Sequence, residues 1–282
     1  ELDIIAGKDL PSESQFFIDE KFSDKTWNIG YYQIQDTRLY GLDIVPPSVE
    51  FSVHDYDKFV RTLLPTVSEQ TLPVFVGGSN FYISALLTSI ETATIPPNPT
   101  LRKELTGNTV AQLRNILHDI DRERLLSMND SDGNNPRRLT RAIEVAKWKK
   151  NNTIQVKEAV LDGYEVLHIG LTAPLEYLRT KIDARVDTRI AQGAVAEAEE
   201  LFKQFDSLSG NVKTANGYKQ LFEYLDNKIS YEDAIQQWKF SEYHNAKKQL
   251  TWIHGDSKIK KYSILDDHFP DTVLHDILMF LE

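Results

Sequence analysis

The sequence has no cysteine in its 282 residues. Disulfides, thiolate metal sites and cysteine nucleophiles are therefore excluded within it, and the composition suits a reducing cytoplasm. No apolar run approaches the roughly 20 residues that span a bilayer, so no membrane association is expected. The first ten residues, ELDIIAGKDL, lack a basic n-region and a signal-peptide pattern, and they do not begin with methionine. The seven histidines (His54, His118, His168, His244, His254, His268 and His275) are scattered without metal-ligand spacing, so no metal held by the protein alone is expected. Positive charge is also scarce: 32 Lys and Arg against 42 Asp and Glu leave a formal charge of −10. Taken alone, that balance argues against a nucleic-acid partner.

The charge is uneven, however. Cations gather at Arg137, Arg138, Arg141, Lys147, Lys149 and Lys150, again at Lys247 and Lys248, and again at Lys258, Lys260 and Lys261. Solvated helix faces would produce the same clusters. Hydrophobic residues make up 41% of the chain, enough for a core. The length fits one large domain or a domain carrying an insertion.

TWNIGYYQIQ (26–35) and RLYGLDIV (38–45) are rich in β-formers and read as strands or extended segments. Ser52 with Asp55 makes a capping pair, followed by a helical stripe of Val53, Phe59, Val60, Leu63 and Leu64. LPVFV (72–76) is a short continuous apolar run of the kind buried on both faces of a sheet. NFYISALLTSI then reads as a helix, which gives 51–90 the rhythm of a parallel α/β sheet. After IPPNP (95–99), residues 100–150 read as helices only. YEVLHIGLTAP (164–174) returns to a buried strand, and 174–193 is a long helix closed by Gly193. Further helices, a short strand at KIKKYSIL and a closing helix at DTVLHDILMFLE complete the chain.

Gly77, Gly78 and Ser79 stand between the apolar run and the helix. A helix N-terminus offers unpaired N–H groups and partial positive charge; glycines admit close approach of an anion, and a hydroxyl adds a donor. The turn is shaped to touch a phosphate or diphosphate. It would equally serve as a tight turn with Ser79 as N-cap. The AGK at 6–8 is not a P-loop, because Asp9 follows Lys8 and no glycine stands five residues before Gly7.

NPRRLTRAIEV (135–145) puts Arg137 and Arg141 on one helix face with Arg138 beside them, suited to gripping phosphate oxygens or to a solvated amphipathic face. RTKIDARVDTRI (179–190) spaces Lys181, Arg185 and Arg189 four apart with Asp183 and Asp187 between, which also describes a ladder of i,i+4 ion pairs. NAKKQLTWIHG (245–255) sets Lys247, Lys248, Gln249 and Trp252 near a helix end. That combination suits RNA loop contacts, unless Trp252 is core and the lysines merely solvated.

VFVGGSNFYISALL, NPRRLTRAIEV, IGLTAPLEYLRTKIDARVDTRIAQG, TANGYKQL and AKKQLTW, in this order, resemble the tRNA dimethylallyltransferases, the bacterial-type isopentenyl-tRNA transferases. LDIVPPSVEFSVHDY fits the same family, and the likeness covers nearly the whole chain. The long helical insertion and basic C-terminal helix favour this group over the adenylate isopentenyltransferases.

The resemblance implies an α/β fold with a P-loop-NTPase-like parallel sheet core and a helical insertion domain. It divides the chain into a core with C-terminal helices at 1–99 and 163–282 and a helical tRNA-binding insertion at 100–162. It implies nucleotide (ATP-type) binding by the core, and dimethylallyl diphosphate held with Mg2+ whose ligands in the family lie mostly in the segment that precedes these residues. Its partner would be the anticodon stem-loop of tRNA, and its setting that of a cytoplasmic monomer. The adenine at position 37, beside the anticodon, flips into a channel and its N6 attacks the allylic carbon, which needs stabilisation of the leaving diphosphate and an unstacked base.

By resemblance, Ser79 stands where the family has threonine and, with Arg185, is the catalytic candidate. Gly77, Gly78, Ser79, Lys181 and Arg185 are the diphosphate candidates. Arg102, Arg137, Arg138, Arg141, Gly217, Tyr218, Lys219, Lys247, Lys248, Gln249 and Trp252 are the tRNA candidates.

The chain departs from the pattern in two ways. ELDIIAGK matches the family's Leu-Asp-Ile-Gly-Thr-x-Lys with Ile5-Ala6 in place of Gly-Thr, and the P-loop and general-base aspartate that precede that segment in the family are not in the sequence. Little transferase activity is therefore expected of these residues alone. A non-catalytic tRNA-binding remnant of the same fold is the alternative reading, and a small-molecule P-loop kinase relative is a third.

Overall fold

The computed structural model describes residues 2–8, 10–11, 14–19, 29–69, 71–89, 92, 95–152 and 158–282. The chain forms two compact units. One comprises Glu1–Phe51, Gly78–Asn80 and Glu165–Glu282, the other Ser52–Gly77 and Phe81–Tyr164.

The first unit contains both sheets. β1 (Phe16–Ile18), β2 (Gly30–Ile34) and β3 (Thr37–Tyr40) form an antiparallel meander in that order, with Tyr32 opposite Phe16 on one side and Leu39 on the other. β4 (Ile169–Thr172) and β5 (Lys260–Ser263) pair in parallel, Ile169 opposite Lys260 and Thr172 opposite Ser263. The helices of this unit are α8 (Leu175–Ala191), α9 (Ala194–Phe202), α10 (Gly210–Thr214), α11 (Tyr218–Leu225), α12 (Tyr231–Gly255) and α13 (Asp271–Leu281). α13 has no buried residue, but the Tyr262 hydroxyl of β5 donates to Asp276 and Lys260 Nζ lies 2.7 Å from the same carboxylate.

The core of this unit is a continuous cluster of Ile5, Val186, Ala194, Ala198, Leu201, Leu221, Phe222, Ile235 and the fully buried Trp238. Glu197, in the first turn of α9, pins the N-terminal segment to it. Its carboxylate accepts from the backbone N–H groups of Asp3 (2.9 Å), Ile4 (2.8 Å) and Ile5 (3.0 Å) and from the Tyr218 hydroxyl (2.7 Å). A charged acceptor satisfies three successive donors that have no ladder partner. Gly217 has φ +86°, and a Cβ there would come 2.5 Å from Ile5 and 2.8 Å from the Trp238 ring, so only glycine fits between them.

The second unit comprises α1 (Val53–Ser68), most of α2 (Asn80–Leu87), α3 (Pro99–Leu105), α4 (Val110–Ile120), α5 (Arg122–Ser127), α6 (Asp130–Gly133) and α7 (Pro136–Asn151). α1 starts at the expected capping box: Ser52 accepts from the Asp55 N–H and the Asp55 carboxylate accepts from the Ser52 N–H at 2.8 Å. Phe59, Val60, Leu63 and Leu64 are buried as its stripe requires. Leu101, Leu105, Leu113, Leu117, Leu139 and Ile143 form a second core, in which α4 packs along α7.

The chain is thus a mixed α/β protein with helices in the majority, and among the described residues the parallel pairing is that of β4 with β5. Two strand expectations are corrected. LPVFV is not a strand: residues 72–77 make no ladder, and Val74 and Val76 are 73% and 92% exposed. A short apolar run is buried as a strand only when neighbours cover both faces, and no described strand pairs with it. The strand expected over 164–174 shrinks to Ile169–Thr172; among the described residues it pairs with β5 alone, and Leu171 stays 48% exposed. β1 was not anticipated; α5 and α6 fall within residues 100–150, which read as helices only. Residues 26–28 of the first expected strand lie outside the described residues.

Candidate functional site

In the first unit, β4 ends at Thr172 and the chain turns through Pro174 into α8, which runs alongside α12. Open α/β sheets bind ligands beyond the carboxyl ends of their parallel strands, where backbone and helix starts face outward together. A cleft of about 470 Å³ occupies this position, with Thr172, Arg185, Glu242, Asn245 and Gln249 as its polar lining and Leu178, Ile182, Leu250 and Ile253 among its apolar walls.

α8 carries Arg185 into this cleft because Ile182 and Val186 are buried beside it and turn the guanidinium outward. Arg185 Nη2 donates to Glu242 Oε2 at 3.1 Å, while Glu242 Oε1 accepts from Trp238 Nε1 at 3.3 Å. Glu242 is therefore gripped from two sides. Gln249, two turns further along α12, reaches the glycine turn: a Cβ on Gly78 would overlap its side-chain amide. Gly78 and Arg185, far apart in sequence, are thus linked through Gln249 to one cleft. Gly77 faces open space, and Gly77, Gly78 and Ser79 are all exposed.

The other candidates of this unit sit elsewhere. Lys181 is not in the cleft lining; its ammonium lies over the Tyr177 ring, 5.3 Å from the centroid. Lys247 and Lys248 are exposed on α12. Trp252 is half-buried against His168, ring centroids 5.8 Å apart, and burial pushes the His168 imidazole below its usual value. Lys219 is exposed, with Glu223 3.9 Å away. Tyr218 is only 2% exposed: burial, then its bond to Glu197, pushes its phenol well up, and it faces the N-terminal segment rather than solvent. Gly217 is buried beside it.

In the second unit the arginine candidates divide. Asn135 caps α7, accepting from the N–H groups of Arg137 and Arg138, with Pro136 in the first turn. Arg137 and Arg138 project outward from that turn, Arg138 paired with Asp132. Arg102 and Arg141 instead converge on the buried Glu144. Arg102 donates through Nε (2.7 Å) and Nη2 (3.0 Å), Arg141 through Nη1 (3.0 Å), and the Asn98 N–H adds a fourth bond at 2.9 Å. Arg141 Nη2 also holds the carbonyls of Thr92 and Ile95, each at 2.7 Å. Burial would raise the Glu144 carboxyl, but these donors outweigh it and hold it below the usual range.

Sequence reading missed Glu144, Glu197 and Glu242. Glu144 had a signal: it is the lone acid within Leu139–Ala146, on the apolar side of α7. The partners of Glu197, and Arg185 as partner of Glu242, come from distant segments and leave no local pattern, whereas Trp238 lies one turn before Glu242 on α12. Among the described residues no group of three or more His, Asp or Glu side chains is placed to hold a metal. No described helix is long and apolar enough to cross a membrane.

The profile of the IPP transferase family matches residues 25–256. The tRNA dimethylallyltransferase of Anoxybacillus flavithermus is 30% identical over 272 residues, 92% of this chain and 84% of its own length. That of Finegoldia magna is 31% identical over 233 residues, covering 80% and 73%. Among solved structures, the full-length tRNA isopentenylpyrophosphate transferase of Bacillus halodurans superposes with a TM-score of 0.56 at 27% identity, over 84% of this chain and 76% of that one. The tRNA delta(2)-isopentenylpyrophosphate transferase of Staphylococcus epidermidis gives 0.54 at 25% identity, over 85% and 78%.

Proposed function

The chain belongs to the IPP transferase family, and from that membership we propose that it is a prenyltransferase acting on tRNA, moving a dimethylallyl group from dimethylallyl diphosphate to N6 of the adenine at position 37. In this reading the N6–carbon bond forms as the allylic carbon–oxygen bond breaks, pyrophosphate leaves with the bonding electrons, and N6 releases one proton. Arg185 takes up charge that grows on the leaving oxygens, and the Gly78–Ser79 backbone and hydroxyl face the same reacting groups. Arg137, Arg138, Lys247 and Lys248 contact the phosphates of the anticodon stem-loop. Arg102, Arg141, Gly217 and Tyr218 act on the RNA indirectly, by fixing the segments around them. The protein works as a cytoplasmic monomer.

The observation that carries this reading is the cleft beyond β4 that Arg185 and Gln249 line, with the Gln249 side-chain amide lying against Gly78. The 282 residues contain no Gly-x-x-x-x-Gly-Lys-Ser/Thr pattern, so we propose that by themselves they hold the donor weakly and turn it over slowly. Incubation with dimethylallyl diphosphate and an anticodon stem-loop, read by the mass gain of one isopentenyl unit on the RNA, tests the assignment. Product that vanishes when guanine replaces the target adenine supports it. Stem-loop binding without product, even in a chain supplied with the P-loop segment, favours the RNA-binding remnant.

A further inference from the structure

We infer that Glu242 is a built-in counter-anion for Arg185, a positioning residue that occupies the guanidinium when the cleft is empty and weakens the hold on a diphosphate. The inference rests on the diphosphate reading of the cleft and adds a residue that the sequence patterns did not single out. Arg185 is half-exposed, whereas the Glu242 side chain is 17% exposed. The carboxylate cannot swing into solvent, because Trp238 Nε1 holds its other oxygen and the Trp238 ring is wholly buried. The flexible partner is thus Arg185, and the fixed one is Glu242.

A diphosphate entering the cleft competes with a carboxylate already 3.1 Å from the arginine and meets its negative charge on the same wall. Anion affinity is lowered, and release of pyrophosphate is favoured because Arg185 has a partner to return to. The other polar residues lining the cleft, Thr172, Asn245 and Gln249, are neutral, so Glu242 is the acidic group among its lining residues.

Isothermal titration of inorganic pyrophosphate into the full chain tests this with E242Q, R185Q and the double variant. Glutamine keeps the shape and the acceptor oxygen for Trp238, so unchanged melting temperature checks folding. E242Q is expected to bind pyrophosphate roughly tenfold more tightly at low salt, with the gain falling as salt rises. In the R185Q background the same change gains less than about threefold, since the competition it relieves is gone. In turnover, product inhibition by pyrophosphate tightens in parallel. Unchanged or weaker binding by E242Q while R185Q weakens binding overturns the role of Glu242 and leaves the diphosphate reading intact. An equal gain in both backgrounds reduces Glu242 to general repulsion and also overturns it. Binding that is absent throughout, or indifferent to R185Q, overturns the diphosphate reading and this inference with it.

Discussion

The backbone of Gly78 lies directly against the side-chain amide of Gln249, so the glycine turn and the far end of α12 meet at one edge of the cleft that holds Arg185. The contact is with the tip of a flexible side chain. Gly78→Ala should therefore leave stability within about 0.5 kcal/mol of wild type, yet displace Gln249 and lower turnover roughly tenfold. Gly77→Ala, which faces open space, should match wild type in thermal melting. Melting curves and initial rates for the two variants separate packing from function.

Glu144 is the electrostatic centre of the second unit. Glu144→Ala strands Arg102 and Arg141 and should destabilise that unit by about 2–3 kcal/mol, at the low end for a buried pair because both arginines are partly exposed. Because its folded pKa is depressed, the charged form contributes stability in full above the ordinary Glu value of about 4.3, and that contribution is lost as pH falls below it. Urea midpoints from pH 7 to pH 3 should drop more steeply for wild type than for Glu144→Gln.

Tyr218→Phe removes the hydroxyl that donates to Glu197 and should lower stability by about 1 kcal/mol, with stem-loop affinity unchanged. A loss of RNA affinity without loss of stability would show that Tyr218 reaches the RNA.

Gly217→Ala places a methyl group against Ile5 and Trp238 at positive φ and should cost about 3 kcal/mol, read as a fall in denaturation midpoint.

The exposed cations should behave unlike the buried pairs. Each of Arg137→Ala, Lys247→Ala and Lys248→Ala should reduce the salt dependence of stem-loop binding by about one unit of slope with little change in stability. Arg102→Ala and Arg141→Ala should do the reverse, lowering stability first.

Much of the architecture was legible because it is written locally. The Ser52–Asp55 box with the stripe of α1, and the helical segments that became α4 and α7, each form where their own residues place them. LPVFV misled because a continuous apolar run states only that it could be covered, and cover comes from other strands. The arginine motif of α7 was read as one surface, but it divides according to where Glu144 sits: Arg141 turns inward to it while Arg137 and Arg138 stay out.

The sequence by itself determined the longer helices, the capping box of α1 and the family, since periodicity, capping and ordered motifs depend on residues close together along the chain. Only the tertiary structure decided which charges serve the surface and which serve the core. Ion pairs such as Arg185–Glu242 and Arg102–Glu144 join segments whose separation is set by packing, and electrostatic energy depends on distance in space rather than on position in the chain.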